Sequence, residues 1–409
     1  RIRILQGGAP QAQVGEEMFG AELLPDQDYV LRKGQRGAIY TYFGCVLAVV
    51  GKTAQDYVAS NHVMKEYVQC AAILEKRRQR AEDLGNRAPR VLVTGSSQSG
   101  KSTLCTMLCN YAVRRERTPV FVELDTRYSS QVQLGGVPGA VSASVIDSTA
   151  WDDEPVETLS YFFGHVEWTD APQLFQKVTG MLATLVRRKL SSVVKSDALT
   201  QAQRSGVIVN APAQPSSAVL SHIINAFEID VVFVLDNDSL HADLKRAYPT
   251  TYTGPSVEVV PLQKAGGVVQ DHSAKLREYR EQRWREYFYG ASGELTPMPQ
   301  VVDLADTHIV HLEACVLPPS FLPLGERPVV EDDISAVAYT GPVQHLQYAL
   351  LAVSSATALD QVVYAPVLGF VVVTAINEQI MQLLCPAERL PVPLFLIVGD
   401  VKQVKLVNH

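Results

Sequence analysis

VLVTGSSQSGKSTLC, residues 91–105, places an apolar strand, a glycine-bounded polar loop and the start of a helix in immediate succession. Val91–Val93 reads as the strand. Gly95, Ser96, Ser97, Gln98, Ser99 and Gly100 read as the loop, and Lys101, Ser102 and Thr103 as the first helical turn. Such a loop turns backbone N–H groups toward phosphate oxygens, which glycine permits at the tight positions. Lys101 supplies a mobile positive charge to β and γ phosphates, Ser102 a hydroxyl for Mg²⁺, and the helix N-terminus its dipole. Strand before and helix after are the context this motif requires, so residues 95–103 are expected to bind ATP with Mg²⁺.

Outward from the loop, strand and helix alternate. Apolar strands are predicted at Val120–Leu124, Val207–Val209, Val231–Leu235 and Val257–Val260, with helices near 101–115, 172–190, 217–228 and 239–247. This is the pattern of a mostly parallel sheet with helices on both faces. Before it, residues 1–67 read as short strands such as Asp28–Leu31, Gly37–Phe43 and Val46–Val50, broken by Gly34, Gly44 and Gly51, which makes a small all-β unit. Val68–Leu84 is helical and ends in the charged run EKRRQRAED, read as a solvated linker helix rather than an RNA contact. After Gly290 come strands, the Pro-rich LPPSFLPLG and a hairpin-like pair at Leu368–Ala375 and Leu394–Val398, forming a smaller third unit. The expected architecture is an α/β P-loop domain at 89–290. An N-terminal all-β domain with its linker helix (1–88) and a small C-terminal mixed α/β domain (291–409) flank it. Residues 190–205 read as polar and turn-like.

The chain has 409 residues, 47% of them hydrophobic and 19% charged, enough for two or three full cores. A formal net charge of −7 argues against a surface coated in positive charge for nucleic acid, although a local basic groove for RNA is compatible with it. Six cysteines without paired spacing make no disulfide framework, and Cys105 and Cys109, four apart on one helix face, read as buried thiols. No run of eighteen apolar residues predicts a membrane span.

Three further features could carry chemistry. FVELD (121–125) sets Asp125 at the carboxyl edge of a strand beside the loop. There an acid can hold the metal shell or accept a proton from an attacking hydroxyl, the catalytic role if the protein is active. Asp236 ends VVFVLD at another strand terminus, where ligands gather in open α/β sheets, and structure and base contact weigh evenly for it. On the helix Ser273–Tyr287, Lys275, Arg277, Arg280, Arg283 and Arg285 interleave with Glu278, Glu281 and Glu286. That spacing favours a solvated, salt-bridged helix over a lid closing on triphosphate.

The ordered set VLVTGSSQSGKSTLC, NYAVRR, FVELD, FEIDVVFVLD, KAGGVV and REYFYG resembles the polynucleotide 5′-hydroxyl kinase family of the eukaryotic pre-mRNA 3′-end cleavage machinery, specifically its cleavage-factor subunit. MFGAEL and YTYFGC before it, and SFLPLG and GFVVVTAINE after it, extend the resemblance over nearly the whole chain. The resemblance implies three domains, with ATP on the P-loop and its base toward the N-terminal domain. It puts Arg36, within RKGQRGAIYTYFGC, where the family carries a nucleotide-contacting basic residue, and favours the lid reading for Arg283 and Arg285. It also implies a nuclear protein that docks a larger subunit recognising the RNA polymerase II C-terminal repeat domain, among other cleavage and polyadenylation factor subunits.

Two departures from the family pattern concern the acceptor side. Active members follow the strand-end aspartate with Val-Gly-Gln-Gly, whereas Asp125 is followed by Thr126, Arg127, Tyr128, Ser129 and Ser130, with extra residues before Val137-Pro138-Gly139. Active members also carry a Thr-x-Gly-Trp clasp where this chain reads Asn210, Ala211, Pro212, Ala213. Losing a clasp that orients the attacking hydroxyl forfeits much of the ~7–11 kcal/mol that positioning supplies. These changes resemble the fungal-type members, which retain ATP without kinase activity. The expectation is an ATP-bound structural subunit, with an active polyribonucleotide 5′-hydroxyl kinase as the alternative.

Overall fold

The computed structural model describes residues 1–7, 15–32, 34–61, 63–127, 136–149, 156–191, 197–249, 257–316 and 330–402. The stretch Tyr128–Ser130 after the strand-end aspartate and the Pro-rich segment 317–325 lie outside these residues.

Six short strands open the chain: β1 (Ile2–Gly7), β2 (Glu16–Met18), β3 (Ala21–Glu22), β4 (Asp28–Tyr29), β5 (Ile39–Thr41) and β6 (Cys45–Val49). They form two three-stranded sheets, ordered β4-β1-β6 and β3-β2-β5. Ile4, Met18 and Leu23 are fully buried between these sheets and the helices that follow. Helix α1 (Met64–Leu84) comes next and closes on Gly85 in the left-handed conformation. Its charged run is not simply solvated. Arg78 is 3% exposed and donates from Nε to the carbonyl of Ser205 at 2.7 Å, while Glu75 and Glu82 both pair with Arg117. A guanidinium that satisfies a helix-end carbonyl and a carboxylate can be buried at tolerable cost, so the run is an anchor as well as a connector.

The central unit contains β7 (Arg90–Gly95), α2 (Lys101–Val113), β8 (Val120–Glu123), β9 (Ala140–Val145), β10 (Thr158–Phe162), α3 (Pro172–Ser191), α4 (Asp197–Ser205), β11 (Val207–Asn210), α5 (Ser217–Phe227), β12 (Val231–Leu235), α6 (Asp238–Ala247), β13 (Glu258–Leu262) and α7 (Ser273–Tyr289). Five strands pair in parallel in the order β13-β12-β7-β11-β8, which puts the strand feeding the phosphate loop in the middle. One face packs Phe175, Leu182, Ile223 and Phe227 of α3 and α5; the other packs Leu104 and Leu108 of α2 with Leu74 of α1. The stretch read as polar and turn-like contains α4, whose Ala202 is fully buried and which packs on α3 and α1. One apolar contact with a neighbouring helix outweighs the polar composition.

Beyond Gly290 run β14 (Met298–Asp303), β15 (Thr307–Val316), β16 (Val330–Ala338), β17 (Ala349–Ser354), β18 (Val367–Ile376), β19 (Ile380–Cys385) and β20 (Leu394–Lys402). The sheet is continuous with the central one: β9 pairs antiparallel with β8, β10 with β9, and Ser160 with Val367 joins β10 to β18. Strands β18 and β20 form where expected but are not a hairpin, because β17 lies between them and pairs with both. The eight-residue connection from β19 to β20 gives β20 room to cross over, whereas β18 turns directly into β19. The helical part of this third unit is α7, packed on it through Trp284 and Phe288, with 3₁₀ turns at Val343–Leu346 and Leu359–Gln361.

Trp284 is 2% exposed and its ring centroid lies 5.2 Å from that of Phe370 on β18, while its indole N–H has no hydrogen-bond partner among the described residues. Trp284→Ala is expected to cost about 3–5 kcal/mol and lower the melting temperature, with Trp284→Phe costing clearly less. A thermal scan in which both variants fall equally would contradict this account of the α7 contact.

Candidate functional site

The loop begins where β7 ends. Gly95 has φ 139° and stands opposite Leu235 of β12; a Cβ there would collide with the Leu235 carbonyl oxygen, which already accepts from the Ser96 N–H. At the far end Gly100, φ 96°, caps α2, and a Cβ would lie 2.9 Å from Val268 Cγ2. Between them the chain is held by Ser96 Oγ donating to the Asp236 carbonyl at 2.7 Å. Asp236 therefore supports the loop through its backbone, and its side chain is exposed.

Lys101 is 4% exposed and folds back, donating from Nζ to the Ser96 carbonyl at 3.0 Å. Burial lowers its proton affinity below the ordinary lysine value, Asp125 opposes that, and Arg127 adds to it. The buried hydroxyls of Thr94 and Ser99 have no partner among the described residues. Each such orphan costs about 1–3 kcal/mol, so the loop presents unsatisfied donors as well as a buried cation. An anion with several oxygens fits that cradle.

The next strand places two acids. Glu123 (2% exposed) and Asp125 (4%) sit at the end of β8, and Glu123 Oε1 accepts from the Asp125 N–H at 3.0 Å. It also accepts from Asn210 Nδ2 at 2.7 Å, and the same amide reaches Ser102 Oγ at 3.0 Å. Asn210, in the position of the missing clasp, thus ties β11 to both the acid and the first turn of α2. A tryptophan reaches this segment from elsewhere: Trp168 Nε1 donates to the Ala213 carbonyl at 2.9 Å.

Arg127 closes the arrangement. Its Nε and Nη2 donate to Oδ1 and Oδ2 of Asp125, each at 3.1 Å, and its Nη1 reaches Ser97 Oγ of the loop at 3.2 Å. Both oxygens of the acid expected to hold Mg²⁺ are therefore in a bidentate guanidinium fork, a strong and geometrically exacting pair. Ser102 and Asp125 do lie on one edge with the loop, yet the residues present do not offer the open carboxylate such a metal needs.

On the other side of the loop an unforeseen residue gathers three elements. Gln98 donates from Nε2 to the Asp271 carbonyl at 3.1 Å and accepts from its N–H, while the Asp271 carboxylate pairs with Arg36 and with Lys275 of α7. Arg36 also lies over the Tyr279 ring, 5.7 Å from its centroid. The N-terminal domain thus reaches the phosphate loop through Arg36–Asp271–Gln98, whereas the expectation for Arg36 is a contact with the nucleotide itself. No periodicity links positions 36, 98 and 271, so nothing in the sequence pointed to Asp271. The lid arginines are placed differently. Arg283 pairs with Glu286 at 2.7 Å and reaches the Gly136 carbonyl at 3.5 Å, neither of which belongs to the loop, and Arg285 is exposed.

Three family models match in sequence order: an N-terminal β-sandwich domain of polyadenylation factor over residues 2–81, the mRNA cleavage and polyadenylation factor CLP1 P-loop over 95–290, and pre-mRNA cleavage complex II protein Clp1 over 295–403. A "Protein CLP1 homolog" of Aedes aegypti is 33% identical over 398 residues, covering 94% of this chain and 89% of the relative. The Homo sapiens "Polyribonucleotide 5′-hydroxyl-kinase Clp1" is 34% identical over 400 residues, covering 95% and 90%. Among solved structures, a Clp1p–Pcf11p complex superposes with a TM-score of 0.77 at 24% identity, covering 98% of this chain and 92% of that one.

Two outcomes follow from the loop geometry. Gly95→Ala is expected to displace the loop from β12 and abolish nucleotide binding in a filter or calorimetric assay; retained affinity would show that the Leu235 approach is not required. For Lys101, a folded-state proton affinity below the ordinary value of 10.5 means the unfolded chain binds more protons as pH nears that value. Stability of the nucleotide-free wild type relative to Lys101→Met should then rise with pH in that window, read from denaturant midpoints. A flat or falling difference would contradict the buried, desolvated lysine.

Proposed function

The chain belongs to the Clp1 family of mRNA cleavage and polyadenylation factors, and from that premise we propose that it is an ATP-holding, non-catalytic structural subunit of the pre-mRNA 3′-end processing machinery. The observation that carries the reading is the Arg127–Asp125 fork beside an otherwise complete phosphate loop.

In this reading residues 95–103 hold the triphosphate: Lys101 pairs with it, the Ser99 hydroxyl and loop N–H groups donate to it, and the N-terminus of α2 faces it. Arg36 stands on the N-terminal side, so the nucleotide bridges the first two domains, divided as 1–88, 89–290 and 291–409. ATP bound to the folded state alone stabilises it by about 3–4 kcal/mol at hundreds to a thousand times its dissociation constant. Phosphoryl transfer asks for more, namely an acid free to act on the attacking hydroxyl and a positioned acceptor. Here Asp125 is spent on Arg127, and the clasp position is spent on Asn210 contacts to Ser102 and Glu123. Arg283 and Arg285 would join only by moving from their present places.

The partner we propose is a larger cleavage-factor subunit of the Pcf11 type, the class of protein seen with Clp1p in the solved neighbours. With it come the other cleavage and polyadenylation subunits, a link to the RNA polymerase II C-terminal domain and a nuclear location. The kinase reading keeps one supporting observation, that Lys101, Ser102 and Asp125 share one edge of the sheet beside relatives named as kinases.

Purified protein given γ-labelled ATP and a 5′-hydroxyl oligoribonucleotide is expected to transfer no label while co-purifying with intact ATP. Lys101→Ala should lose the nucleotide and melt at lower temperature. Label transfer that disappears in Lys101→Ala would overturn the structural reading in favour of the kinase.

A further inference from the structure

We propose that this chain holds its nucleotide without a divalent metal, the Arg127 guanidinium having taken the place and the charge that Mg²⁺ would supply beside Asp125. The inference deepens the nucleotide-holding reading and rests on it.

Mg²⁺ asks for near-octahedral oxygen ligands at about 2.0–2.1 Å and, in phosphate sites, is held by one or two protein oxygens plus the phosphates themselves. The protein oxygens at this edge are Ser102 Oγ, the two of Asp125, and the buried Glu123 carboxylate, whose Oε1 already accepts from the Asp125 N–H at 3.0 Å and from Asn210 Nδ2 at 2.7 Å. Asp125 Oδ1 accepts from Arg127 Nε at 3.1 Å and from the Arg127 backbone N–H at 3.2 Å, and Oδ2 accepts from Nη2 at 3.1 Å. Ser102 Oγ accepts from Asn210 Nδ2 at 3.0 Å. Among the described residues no group of three or more His, Cys, Asp or Glu side chains could hold a metal.

The fork is not a surface accident. The Arg127 side chain is 12% exposed and that of Asp125 4%, and Nη1 carries the guanidinium across to Ser97 Oγ in the phosphate loop. Arginine keeps its proton at any working pH, so titration does not release the carboxylate. Charge is already matched: Lys101 and Arg127 stand against the buried Glu123 and Asp125, with 4%, 2% and 4% exposure for Lys101, Glu123 and Asp125. The lowered proton affinity of Lys101 registers Arg127 as a neighbouring cation. A planar guanidinium bordering the loop is suited to phosphate oxygens in the way a bound metal is, with geometry in place of coordination.

The test is calorimetric titration of ATP into the full chain, once with Mg²⁺ and once with excess EDTA. The wild-type dissociation constant is expected to differ by less than about threefold between the buffers, whereas Arg127→Gly should bind at least about tenfold more weakly in EDTA than in Mg²⁺. Arg127→Gln, of similar length but uncharged, serves in the same comparison if the glycine variant fails to fold. Wild-type binding that collapses in EDTA overturns the inference and leaves the nucleotide reading standing. Metal-independent binding in the wild type and both Arg127 variants also overturns it, since another group would then carry the charge. No binding in either buffer overturns both.

Discussion

Helix α2 is buried on two sides at once, and the arrangement of the molecule follows from that constraint. Its sheet-facing side packs on β7 and β11, while its outer side is covered by the N-terminal domain. Asn110 donates to the Phe19 carbonyl at 2.9 Å, Arg114 pairs with Glu17 at 3.0 Å, and Tyr111 also bonds Glu17. A helix covered all round is apolar all round, which is why residues 104–109 read LCTMLC with no polar stripe. The two thiols there are free and fully buried, and burial pushes Cys109 up to about 12. Because the phosphate loop is the N-terminal cap of this helix, whatever fixes α2 fixes the loop.

The same sandwich explains how distant segments meet at the site. Once the N-terminal domain is seated on α2, Arg36 falls beside Asp271, and Asp271 in turn holds Gln98. On the opposite side β8 and β11 deliver Glu123, Asp125 and Asn210 to the first turn of α2. The loop is flanked by an ion pair on each side, Arg36–Asp271 and Arg127–Asp125. In each pair the carboxylate is nearly buried; Arg36 reaches in from the N-terminal domain, while Arg127 folds back from two residues beyond Asp125. Such pairs contribute more to specifying one arrangement than to net stability, since desolvation offsets much of their attraction.

Much of the central domain was legible from pattern. Strands β7, β8, β11 and β12 are short apolar runs bounded by polar or glycine residues, and parallel strands covered on both faces have to look that way. Less was legible where burial is one-sided or pairing is distant. β9 reads AVSASV with Ser142 and Ser144 buried, so its alternation does not announce which face is inside. Helix α4 hides in a polar stretch, and β18 and β20 look like a hairpin until β17 is found between them.

What the sequence determined by itself is local: the loop from Gly95 to Gly100, its strand and helix, and the replacement of small residues by Arg127 beside Asp125. These follow from backbone permissiveness, apolar period and side-chain chemistry within a few positions. What only the tertiary structure decided is partnership across long separations. Arg127 reaches Ser97 of the phosphate loop, Asn210 bridges Ser102 to Glu123, and Asp271 joins Arg36 to Gln98. Hydrogen-bond and charge partners are chosen by distance in space, and that distance is set by how α2 is packed between the sheet and the N-terminal domain.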